Sequence, residues 1–221
     1  MKQLIMHHHL GLGDHIICNG MVHYLIEKWD ISRLLLVTKK HNAPSVKALY
    51  SGESRIEILD FDPQEIDEMV FSSSKSSQLG MPLLKIAAAH TSFFDEHFYN
   101  SMNIPLAVRW DYFKPPQNLS SAQKIYDQVI TTDQYCLIAD KTSVGDFPLE
   151  IQSDLPTVRV SSISESLFDW IKVISMASEI HCVDSSFIHL ADSLNLTGKD
   201  LNYHDVRKNS LFHLKNDWKR L

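Results

Sequence analysis

Apolar residues along this chain gather in short clusters separated by polar breaks, and their spacing changes from one cluster to the next. Residues 3–10 have strand character until Gly11-Leu-Gly-Asp14 breaks the run. Beyond it, Ile17, Met21, Tyr24, Leu25 and Trp29 recur three and four apart, which puts them on one face of a helix. Residues 33–39 form a nearly continuous apolar run, the pattern of a strand covered on both faces. A helix over 43–49 and a strand over 55–61 complete a β-α-β-α-β order, the mark of a parallel sheet wound with helices.

The pattern weakens over residues 63–80. We read 63–70 as a helix and the run Ser72-Ser-Ser-Lys-Ser-Ser77 as a mobile loop. A strand over 83–88, a helix over 91–101, a proline-punctuated hinge over 105–118 and a helix over 119–130 follow. The alternation then restarts, with strands at 135–139 and 157–160, a helix over 167–177, a strand at 180–183, a helix opening at Asp184-Ser-Ser186 and a last strand near 200–203. The fold class expected is α/β, with two Rossmann-like parallel-sheet halves facing a cleft.

Composition narrows the function classes. The 221 residues are 44% hydrophobic and 22% charged, which is ordinary for a soluble protein. A chain of this length buries roughly 70% of its unfolded surface and needs neither disulfides nor a structural metal for stability. The net charge of −6 disfavours a nucleic-acid partner or a general attraction to anionic lipid. Cys18, Cys136 and Cys182 form no CxxC pair and each sits in an apolar stretch, as expected of reduced core thiols in a cytoplasmic protein. No apolar run approaches the ~20 residues of a membrane span, and the N-terminal residues lack a signal-peptide pattern.

Two loops carry candidate chemistry. Gly11-Leu-Gly13-Asp14 joins a strand to a helix, where parallel sheets open a crevice at the strands' carboxyl ends. Gly11 and Gly13 let the backbone approach a ligand; the plainer reading is a tight turn with glycine at positive φ and Asp14 as helix cap. The dinucleotide fingerprint is incomplete. Ile16 occupies its third glycine position, and the second strand ends Val37-Thr-Lys39-Lys40 without a ribose-binding acid, which leaves only a weak NADP reading through Lys39 or Lys40. A metal site from His9, Asp14 and His15 lacks ligand spacing; a strand end with His9 nearest the crevice explains the histidines more simply.

The second loop, Asp184-Ser185-Ser186-Phe-Ile-His189, follows a short strand and opens a helix, so its free N–H groups suit a phosphate. Asp184 would repel a diphosphate and is read as a helix cap or a partner of sugar hydroxyls. Alone, the segment reads equally as a good N-cap followed by a core histidine.

Together the strand–Gly-Leu-Gly-Asp–helix and the strand–Asp-Ser-Ser-x-x-His-Leu-Ala–helix resemble glycosyltransferases of the two-Rossmann-domain (GT-B) architecture, nearest to the ADP-heptose:lipopolysaccharide heptosyltransferase group. The chain is shorter than typical members. The resemblance implies residues 1–115 as an acceptor-side domain and 116–221 as the donor nucleotide-binding domain. It maps the catalytic base onto Asp14 and donor binding onto Asp184, Ser185, Ser186 and His189, with His9, Gly11 and Gly13 beside the base. Ser186 stands where the group prefers glycine, and Lys141 is the nearest counterpart of its basic residue.

The function expected is inverting sugar transfer from a nucleotide-diphosphate donor to a hydroxyl of a glycan or lipid-linked acceptor. Lys141 or Arg159 would neutralise the diphosphate, and peripheral membrane association is left open. Neither metal nor cofactor is expected. The rival readings are a non-catalytic nucleotide- or sugar-binding module and an NADP-linked oxidoreductase.

Overall fold

A computed structural model describes residues 2–86, 93–117, 119–164, 166–207 and 211–221. The chain divides into two compact units, Met1–Gln117 and Asn118–Leu221. In the first, strands β1 (Lys2–His7), β2 (Ile31–Lys39), β3 (Ile56–Phe61) and β4 (Leu83–Lys85) form a parallel sheet ordered β3-β2-β1-β4. Helix α1 (Leu12–Lys28) crosses from β1 to β2, and α2 (Ala43–Leu49) crosses from β2 to β3. Both faces of the central strands are covered, which is why β2 reads as a continuous apolar run. Ile5, Leu35, Val37 and Phe61 pack on one face with Leu10 and Met81. Each such side chain contributes about 1.5–3 kcal/mol by leaving water.

The structure departs from the sequence expectations in several elements. The first strand ends at His7, so His9 lies in the loop rather than in the strand. The serine run is helical: α3 spans Glu68–Leu79, so only residues 68–70 of the expected 63–70 helix are helical. Asp67 caps α3 by accepting from the Met69 and Val70 amides, and Gly80 ends it in the left-handed region at φ 63. Phe71 stacks on Phe61, 5.0 Å between centroids, and Ser72 donates to the Glu68 carbonyl, so packing and capping override the serines' weak helix propensity. The 83–88 strand is found as β4, with residues 87–92, including the start of the 91–101 helix, outside the described residues.

Of the expected hinge over 105–118, residues 105–117 belong to the first unit, and the division between the units falls at its end, between 117 and 118. Helix α4 (Phe94–Ser101) and the single turn α5 (Val108–Asp111) pack on α1. Tyr99 donates to the Ile17 carbonyl at 2.8 Å, Asn19 accepts from the Lys114 amide at 2.8 Å, and Arg109 pairs with Asp95 at 2.7 Å in full burial. Gly20 makes this contact possible, because a Cβ there would lie 2.3 Å from the Val108 carbonyl oxygen and 2.5 Å from that of Arg109. Backbone cannot yield as a flexible side chain would. Gly20→Ala should therefore cost about 3 kcal/mol in urea unfolding, the upper end of overpacking penalties, and a loss below about 1 kcal/mol would contradict this packing.

In the second unit, β5 (Cys136–Ala139), β8 (Thr157–Arg159), β9 (Glu179–Val183), β10 (Asp200–His204) and β11 (Lys219–Arg220) form a parallel sheet ordered β11-β10-β9-β5-β8. A two-stranded hairpin, β6 (Lys141–Thr142) with β7 (Gly145–Asp146), leaves the end of β5. Helices α6 (Ser120–Val129), α7 (Ile171–Met176) and α8 (Ser186–Asp192) complete it, with a 3-10 turn at Leu167–Trp170 where a regular helix was expected. The order is the flavodoxin-like 2-1-3-4-5 arrangement, whose switch point lies between β5 and β9. Buried Asp192 accepts from the Lys215 and Asn216 amides and from Trp218 Nε1, tying the basic C-terminal segment to α8 so that β11 can close the sheet edge.

Candidate functional site

The loop after β1 sits at the carboxyl end of the strand beside the switch point of the first sheet, between β1 and β4. Asp14 is the third residue of α1 and reaches back, its Oδ2 accepting from the N-cap Gly11 amide at 3.1 Å. Gly11 is extended at φ −73, so positive φ is not what requires glycine. Proximity is: a Cβ there would lie 2.6 Å from Asp14 Oδ2. Gly13 is half-buried in the first turn.

The same Oδ2 pairs with His9 Nδ1 at 2.6 Å, the His9 side chain being 56% exposed and that of Asp14 14% exposed. This hydrogen bond is the main reason the His9 pKa is raised above its ordinary 6.5. Both bonds fall on Oδ2, so Oδ1 has no hydrogen-bond partner among the described residues. The neighbouring histidines do not join them. His7 bonds Ser72 in the core at 2.7 Å, and His8 is buried edge-on against His15, 4.3 Å between ring centroids. His9, Asp14 and His15 therefore do not converge as metal ligands; the side chain of His15 goes into the core.

The second unit holds a cavity of about 210 Å³ at the carboxyl ends of β5, β8 and β9. Lys141, Ser161, Ser162, Ser185 and Ser186 supply its polar lining, with Trp170 and Phe187 among the apolar groups. It thus lies at the topological switch point, where open parallel sheets take ligands. The helix cap is Ser185, whose Oγ accepts from the Phe187 amide, and not Asp184 as expected. Asp184 is buried behind the lining with Arg207 3.8 Å away. His189 is buried edge-on against Phe212 and does not line the cavity.

Of the two expected cations, Lys141 lines the cavity half-exposed, 3.6 Å from Asp146, whereas Arg159 is engaged by Asp140 and the Leu149 carbonyl. The first loop thus brings His9, Gly11 and Asp14 together, and the second brings Lys141, Ser185 and Ser186 together. Sequence reading missed Arg207. It follows β10 without any motif, and only the strand order brings it beside the loop after β9.

The structure is similar to that of a glycosyl transferase family 9 protein from Veillonella parvula, with a TM-score of 0.66, 10% identity, and coverage of 100% of this chain and 86% of that one. Two structures of the E. coli heptosyltransferase WaaC also match, one with ADP-2-deoxy-2-fluoro heptose and one with ADP. Their TM-scores are 0.45 and 0.47 and their identities 12% and 11%, over 96% and 100% of this chain and 93% and 91% of theirs. No protein-family profile and no curated protein matches the sequence. The chain has the Rossmann-like α/β fold of a family 9, GT-B-type glycosyl transferase.

Proposed function

We propose that this protein transfers a sugar from a nucleotide-diphosphate donor to an acceptor hydroxyl, with inversion and without a metal. The observation that carries the reading is the cavity at the second sheet's switch point, whose polar lining includes Lys141, Ser185 and Ser186, in a chain whose first sheet presents a carboxylate at the equivalent strand end. The GT-B fold and the resemblance of the two loop motifs add to it.

In this mechanism the acceptor oxygen attacks the anomeric carbon as the carbon–oxygen bond to the diphosphate breaks. Asp14 takes the acceptor proton through Oδ1 as general base. His9, held on Oδ2, orients the carboxylate, and the proton taken at Oδ1 passes to solvent after transfer. The leaving nucleoside diphosphate gathers negative charge, which Lys141, Arg207 and the serine-rich turn 184–186 offset. Residues 1–115 would then serve the acceptor and 116–221 the donor, with buried Asp184 and His189 supporting the loop from behind the cavity.

The capping bond of Asp14 to Gly11 favours a second reading, in which the carboxylate is structural and the protein binds a nucleotide or sugar without turnover. A thermal-shift screen with ADP, other nucleoside diphosphates and their sugar conjugates tests the donor class. A ligand at about 100 times its Kd should add about 2.7 kcal/mol of stability. No shift with any of them, together with a shift for NADP, would overturn the reading.

A further inference from the structure

At the opposite, amino-terminal ends of the same strands lies a second cluster of chemically reactive groups. Cys136 opens β5 and Glu179 opens β9, and the two are register partners in adjacent parallel strands. His181 follows two residues on, so it stands on the same face of the sheet as Glu179. The Cys136 Sγ, a Glu179 carboxylate oxygen and a His181 ring nitrogen all lie within 4.8 Å of one another. Cys136 and His181 are buried and Glu179 is half-buried, which leaves a route in from solvent. Three residues of strand, about 10 Å, separate Cys136 from Ala139 at the donor cavity, so the two sites are distinct.

We propose that Cys136, Glu179 and His181 bind a zinc ion. A thiolate, an imidazole and a carboxylate on rigid neighbouring strands form a mixed sulfur, nitrogen and oxygen set that suits this borderline-soft cation. The outer contacts that orient such ligands are also in place. His204 holds the second ring nitrogen of His181 at 2.9 Å, and Ser153 donates to the other carboxylate oxygen of Glu179. Without metal, His181 Nε2 and Glu179 Oε1 face each other at 2.7 Å and share a hydrogen bond. The ion would take the place of the proton between them and of the Cys136 thiol proton, both passing to solvent. Three protein ligands leave the fourth tetrahedral position to water. The ion would pin β5 to β9 and bring the loop bearing Ser153 onto the sheet, a stabilising role in this unit.

Cobalt(II) is the probe, because its thiolate complexes absorb in the near-ultraviolet. Titrated into the reduced wild-type protein, it should give one equivalent of binding with sulfur-to-cobalt charge-transfer absorption, and zinc should abolish that absorption. Cys136→Ser should lose the band although Cys18 and Cys182 remain, and Glu179→Gln, judged folded by circular dichroism, should weaken cobalt binding at least tenfold. Absence of the band in the wild-type protein, or its survival in Cys136→Ser, overturns the proposal. The wild-type titration decides the matter even where a variant does not fold.

Discussion

Asp14→Asn should lower the rate of sugar transfer by about 10²- to 10⁴-fold while leaving donor affinity unchanged, the loss typical of removing a positioned general base. The amide is nearly isosteric and its oxygen can still accept from the Gly11 amide, so the helix start survives. What it cannot do is take a proton at neutral pH. The pH profile supplies an independent signature. The Asp14 hydrogen bond holds the His9 pKa above 6.5, and the imidazolium formed below that value stabilises the Asp14 carboxylate and weakens it as a base. Transfer should therefore rise with pH through that raised value and fall away in acid. Measured initial rates of nucleoside diphosphate release decide it: an unchanged rate in Asp14→Asn would show that the carboxylate only caps α1.

Mild acid should destabilise the first unit strongly. His8, His15 and His23 are buried, and burial pushes the pKa of His8 and of His23 down to about 4 and that of His15 well below 6.5. In the unfolded chain the same rings titrate near 6.5. Between these values the unfolded state binds more protons than the folded state, so stability falls as the pH drops from 6.5 toward 4. At pH 5 each of His8 and His23 removes about 2 kcal/mol by this linkage. Together they remove a large share of the roughly 5–15 kcal/mol that holds a domain folded. His9 works against this, because its raised pKa favours the folded state as it protonates, but it is half-exposed and its contribution is smaller. Urea midpoints measured from pH 7 to pH 5 check the expectation, before most carboxylates titrate. A flat midpoint over that range would mean that the histidines gain protons without opening the core.

The sequence made much of this fold legible and hid other parts for identifiable reasons. The 43–49 helix and the β2 run could be read because one face or both faces are apolar over several residues, the signal that burial imposes. The serine run of α3 could not, since what stabilises that helix is the cap at Asp67, the turn at Gly80 and the stacking of Phe71 on Phe61, the last a tertiary contact. The histidine triplet misled because strand alternation was extended past His7, where the strand has already ended. In the site, Gly11, Asp14, Ser185 and Ser186 stood out because local chain geometry demands those residue types at strand–helix junctions. Arg207 and the Cys136, Glu179 and His181 cluster did not. Their neighbours come from other strands, and no local spacing records a meeting arranged by strand order.

If the switch-point cavity is the donor site, filling it should abolish donor binding. Ser162 lines it from an exposed loop, so Ser162→Trp can occupy the space without disturbing the core. Isothermal titration with the best nucleotide sugar from the screen should show one saturable site in the wild-type protein and at least a tenfold loss of affinity in Ser162→Trp. Equal affinity in the two proteins would place the ligand elsewhere and contradict the account.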